Sequence, residues 1–153
     1  MLAGVRLLLL AALVPSAAIV TSWVIGDLSE AQAPSTDRAM DPLPLSPSAE
    51  AALGSSATLV LVAGVAAAIS ALRAGGQSRR AALTVFPLVG LAVFLALGYR
   101  INTAAVVGAN IGAGWWFMVG VVAVPSLIWL SVRTYRSEDP SADHPAGPPA
   151  TDR

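Results

Sequence analysis

The sequence predicts an all-α protein, an integral membrane four-helix bundle with both termini in the cytoplasm. Three observations predict it. Four long uncharged stretches fill most of the 153 residues, the charged side chains lie at their edges or between them, and apolar residues make up 56% of the chain against 12% charged. A hydrocarbon core of about 30 Å takes roughly 20 helical residues, so four crossings with their connections use nearly the whole chain as one membrane domain, residues 1–136.

The first span covers about residues 5–25, with Arg6 at its start and Pro15 near its middle, where proline removes a backbone donor. A basic start followed by an apolar run also resembles a secretory signal. Its length, the acidic Asp27 and Glu30 before the small residues Ala31 and Ala33, and Pro34 directly after them favour an uncleaved helix. Residues 26–45 read as an extracytoplasmic, acidic, proline-rich loop carrying Asp27, Glu30, Asp37, Asp41, Pro34, Pro42 and Pro44.

Ser46 followed by Pro47 has the pattern of a helix N-cap with proline in the first turn, and Glu50 then lies near the positive end of the helix dipole. The second span covers about residues 52–72. It ends at Arg73, with Gly75 placed to terminate the helix. A tight connection, Ala74 to Ser78, leads through Arg79 and Arg80 into a third span of about residues 81–99, interrupted only by Pro87. Two arginines at a helix start oppose its dipole by about 0.3–1 kcal/mol each, whereas one at the bilayer centre costs about 2.5–3.5 kcal/mol, so topology outweighs capping.

The fourth uncharged stretch, Ile101 to Val132, is 32 residues long and overshoots a bilayer. Trp115 and Tyr135 stand 20 residues apart, which matches one crossing, so the spanning part is about residues 113–132 and residues 101–114 form an outer Gly-rich segment. The tail, 137–153, has too little apolar content to fold and is expected to be disordered in the cytoplasm. Arg6, Arg73, Arg79, Arg80, Arg133 and Arg136 fall on one side of such a topology, and Arg38 and Arg100 on the other. That bias puts both termini inside. Trp23, Tyr99, Trp115 and Trp116 would then form an outer aromatic belt.

Residues 101–114 hold the most distinctive local sequence. Gly108 and Gly112 make a GxxxG pair, extended by Ala104, and Asn102 and Asn110 add polar amides. Three readings fit: intramolecular packing or a Gly-rich turn, a re-entrant half-helix with the asparagines lining a polar pocket, and a homodimer contact. Arg100, on the side that the charge bias disfavours, either reaches the headgroups, pairs with Asp27 or Glu50, or binds an anionic lipid or ligand. Gly64 with Ala68, and Gly90 with Gly98, read as packing positions.

The segment Gly98-Tyr-Arg-Ile-Asn-Thr-Ala-Ala-Val-Val-Gly-Ala-Asn-Ile-Gly-Ala-Gly114, following an arginine-flanked hairpin and a proline-containing third helix, resembles small four-helix membrane proteins encoded by actinobacteria. The resemblance implies the architecture and transfers no catalytic residue or activity.

No Asp, Glu or His lies within the uncharged stretches, which argues against a self-contained proton-coupled transporter. The glycines lack the preceding strand that a phosphate-binding loop needs. The chain has no cysteine and its one histidine, His144, lies in the tail, so no catalytic set, cofactor or metal site is expected. Zero net charge and no long basic run give no reason to expect nucleic acid. The expectation is a non-enzymatic multi-pass protein of the cell membrane. It would act as an accessory or assembly partner that binds lipids, other membrane proteins or itself. The alternative is an oligomeric channel or transporter component built around residues 101–114.

Overall fold

A computed structural model describes residues 2–29, 38–106 and 109–137. Four α-helices account for most of them: α1 (Leu2–Ile25), α2 (Pro47–Ala74), α3 (Gly76–Thr103) and α4 (Ala109–Ser137). Each is long and apolar enough to cross a membrane, with candidate spans of 22 residues in α1 and 28 residues in each of the others. The chain is therefore a multi-pass membrane protein, all-helical among the described residues.

Local sequence accounts for the helix ends. The Ser46 hydroxyl accepts from the Ala49 amide at 3.2 Å and Pro47 opens α2, so one orphan amide of the first turn is satisfied. Gly75 and Gly76 adopt φ of 71° and 53°, the left-handed region that glycine enters without a Cβ penalty. The hairpin between α2 and α3 consequently closes through a single non-helical residue, Gly75. At its far end α3 runs past Arg100 to Thr103, because Asn102 donates to the Gly98 carbonyl at 2.7 Å and Thr103 to the Tyr99 carbonyl at 2.9 Å. Of residues 101–114, the first three end α3, Ala104 is extended and caps it, and residues from Ala109 onward begin α4.

The central helix is α3, which packs against α1, α2 and α4, while α1 also packs against α2. Among the described residues α4 touches α3 alone. Only 6% of the α4 span is buried, against 22% in each of the other three. The arrangement is a three-helix body with a fourth helix laid along one side.

The α3–α4 seam is a row of small residues that receive large ones, alternating between the helices. Gly112 faces Ile101, Gly98 lies under Trp116, Gly120 under Phe94 and Gly90 beside Leu127. Trp116 also stacks on Phe94, with ring centroids 4.3 Å apart. The buried Ser131 hydroxyl closes the row by donating to the Thr84 carbonyl at 2.9 Å. Between α1 and α2 the same device recurs: Trp23 covers Gly54, and a methyl added at Gly64 would stand 2.6 Å from Leu13 Cγ. Close backbone approach of this kind replaces the missing hydrophobic drive between helices in lipid.

Core side chains gather at the hairpin end, where Leu10, Leu13, Ala68, Ala71 and Ala82 form a buried cluster. Arg6 at that end donates to the Ser78 hydroxyl at 3.4 Å. The opposite end, where α1 stops, α2 starts and α3 stops, is organised by polar groups instead.

Candidate functional site: the polar end of α1, α2 and α3

Arg100 is the hub of this end. Its Nε donates to the Ser22 carbonyl at 2.7 Å, in the last turn of α1, and its Nη2 forms an ion pair with Glu50 in the first turn of α2. The Arg100 side chain is only 12% exposed. α1 has no basic residue in its own last turn, so Arg100 of α3 supplies the cation that its dipole favours there. Glu50 in turn sits at the positive end of α2. Of the two carboxylates that the sequence offered to Arg100, Glu50 makes the direct contact.

The connection after α1 is fastened to the same end of α3. Met40 donates its amide to the Asn102 carbonyl at 2.9 Å, and Leu43 donates to the Tyr99 hydroxyl at 2.8 Å. Ala105 donates to the Ser29 hydroxyl at 2.9 Å, and Ser29 donates from its amide and hydroxyl to Asp27. These bonds occupy carbonyls and amides that the ends of α1 and α3 would otherwise leave unpaired. The two hydrogen bonds from Ser29, hydroxyl first, hold the Asp27 carboxyl below its ordinary range, with Arg38 and Arg100 adding smaller contributions.

Between α1, α2, α3 and the segment around Leu43 lies a chamber of about 810 Å³. Ala18, Ile19, Leu53, Leu95 and Ala96 line its apolar part, and Asp27, Arg38, Glu50, Tyr99 and Arg100 its polar part. It lies at the end of the bundle opposite the packed core.

Of the candidate interaction or packing residues Arg100, Asn102, Ala104, Asn110 and Gly112, Arg100 lines this chamber, together with its two expected partners Asp27 and Glu50. Asn102 serves α3 and receives Met40. Ala104 is buried as the C-cap of α3, Gly112 faces Ile101 and Asn110 is exposed in the first turn of α4. Gly108 lies outside the described residues, as do Glu30, Asp37, His144 and the tail beyond residue 137. Trp116, read by sequence as part of an interfacial belt, packs on Gly98 and Phe94, and Trp115 is 66% exposed. Sequence reasoning missed Trp23, Ser29 and Tyr99 as structural partners. Trp23 covers Gly54, the Ser29 hydroxyl accepts from Ala105 and the Tyr99 hydroxyl accepts from Leu43, contacts that have no fixed spacing along the chain.

Among the described residues no group of three or more His, Cys, Asp or Glu is placed to hold a metal ion. Comparison with protein-family models, with curated proteins and with solved structures finds no match.

Proposed function

We propose that this chain is a non-enzymatic accessory protein of the cell membrane, with both termini cytoplasmic, that attaches to another membrane protein through α4. The observation that supports this reading is the one-sided packing of α4, which touches only α3 and buries 6% of its span. Phe117, Met118, Val121 and Val122 form an exposed apolar surface there that the other described helices do not cover. A partner helix laid against it would complete a bundle and bury area as α1 and α2 do for α3. Six arginines near one end of the spans and two near the other favour the cytoplasmic assignment of the termini.

The channel reading has less support. Asn102 and Gly112 are engaged in the end of α3 and in the α3–α4 seam rather than in a polar path. A photo-crosslinking residue at Phe117 or Val121, compared with one at Val62 on the exposed face of α2, tests the proposal in the native membrane. The proposal expects a discrete heterologous protein adduct from the α4 sites only. Lipid adducts alone from all three positions, or a dimer of this chain from α4, would refute it.

A further inference from the structure

We propose that the chamber at the polar end holds one membrane phospholipid with a zwitterionic headgroup. The chamber is independent of the α4 surface, since α1, α2, α3 and the segment around Leu43 line it. Its volume of about 810 Å³, open on one side, falls within the roughly 300–1,000 Å³ typical of small-molecule sites.

The distribution of chemistry around the chamber specifies an amphiphile. Ile19, Leu53 and Leu95 line its apolar wall while remaining 38%, 46% and 54% exposed, so that wall continues onto the surface that the spans present to acyl chains. Among the described residues the polar part carries both signs of charge in equal number, Asp27 and Glu50 with Arg38 and Arg100. Arg100 commits its Nε to Ser22 and one Nη2 donor to Glu50. A guanidinium has five donors, and among the described residues these bonds use two of them, which suits the group to a phosphate oxygen as well. The carboxylates beside it suit an ammonium group of the same headgroup. A headgroup bearing only negative charge would offer no cation to Asp27 and Glu50, and an uncharged one would leave the charges to each other.

The test uses the full-length protein in a non-ionic maltoside detergent, titrated with three probes that share one palmitoyl chain: lysophosphatidylethanolamine, lysophosphatidylglycerol and monopalmitoylglycerol. Calorimetry reads affinity. The zwitterionic probe is expected to bind roughly tenfold or more tightly than the other two. Ala51, an exposed residue that lines the chamber, supplies the control, because Ala51→Trp fills it from the surface. That variant is expected to weaken all binding by roughly tenfold while its unfolding midpoint is kept. Glu50→Gln is expected to shift preference toward the anionic probe. Equal affinity for the three probes, or a preference for the anionic one in the wild type, overturns the headgroup assignment. Absence of binding, or binding unaltered in a folded Ala51→Trp protein, overturns the site itself.

Discussion

Arg100 Nε donates to the Ser22 carbonyl at 2.7 Å while the same guanidinium pairs with Glu50, so one side chain of α3 ties the last turn of α1 to the first turn of α2. Removing it leaves a helix-end carbonyl and a carboxylate without their cation. Charged hydrogen bonds contribute about 1.5–3 kcal/mol each, and Arg100→Ala is expected to destabilise the protein by about that amount. Arg100→Lys should recover only part of it, because an ammonium lacks the planar fork that serves two acceptors at once. Denaturation followed by tryptophan fluorescence checks both, and an Arg100→Ala protein as stable as the wild type would sink the assignment.

Two glycines of α3 should respond in opposite directions to the same substitution. Gly98 lies directly under Trp116, so a methyl there forces the indole to move, and Gly98→Ala is expected to cost about 1–3 kcal/mol. At Gly90 a methyl would find Leu127 at 3.8 Å, an ordinary contact. Gly90→Ala should therefore be neutral or stabilise by up to about 1 kcal/mol through helix propensity. Equal effects in an unfolding assay would mean that the α3–α4 seam does not have this register.

The same seam can be read chemically, because the chain has no native cysteine to interfere. Ser131 donates to the Thr84 carbonyl, which brings α3 and α4 together near the hairpin end. A Thr84→Cys, Ser131→Cys protein is expected to join through a short bifunctional thiol reagent. A Leu61→Cys, Ser131→Cys protein should not, since α4 does not touch α2. The reverse pattern on a gel would place α4 elsewhere.

Asp27 gives a pH dependence with a definite sign. Its carboxyl is held below the ordinary value of 3.8, first by the Ser29 hydroxyl, then by the Ser29 amide, with Arg38 and Arg100 adding to the effect. A depressed folded value means that the ionised form stabilises the fold. That contribution is complete above the ordinary carboxylate value and is lost as pH falls through the lowered one. Asp27→Asn should flatten the acid limb of the stability profile by lowering stability at neutral pH while leaving the acid end little changed. An unchanged acid limb would show that the Ser29 turn does not persist.

How much of this was legible in the sequence depended on the range of each interaction. The four crossings were readable because hydropathy is a local sum, and the Ser46-Pro47 start of α2 because capping involves neighbours three residues apart. The end of α3 was not. Arg100 looked like a boundary marker, yet its partners are 78 and 50 residues away in sequence, and once paired it no longer stops a helix. The Gly-rich segment looked like a functional excess for the same reason, whereas its first three residues complete α3 and Gly112 receives Ile101. The chamber had no sequence signature at all. Its walls come from α1, α2, α3 and the segment around Leu43, and it exists because the large core side chains gather at the other end.

The membrane architecture underlies every reading above, and single cysteines test it most directly. Asp41→Cys lies at the polar end and Gln77→Cys in the α2–α3 hairpin, with α3 crossing between them. With a membrane-impermeant maleimide, position 41 should label in intact cells and position 77 only after permeabilisation. Labelling of both positions in intact cells, or of position 77 alone, would contradict the account.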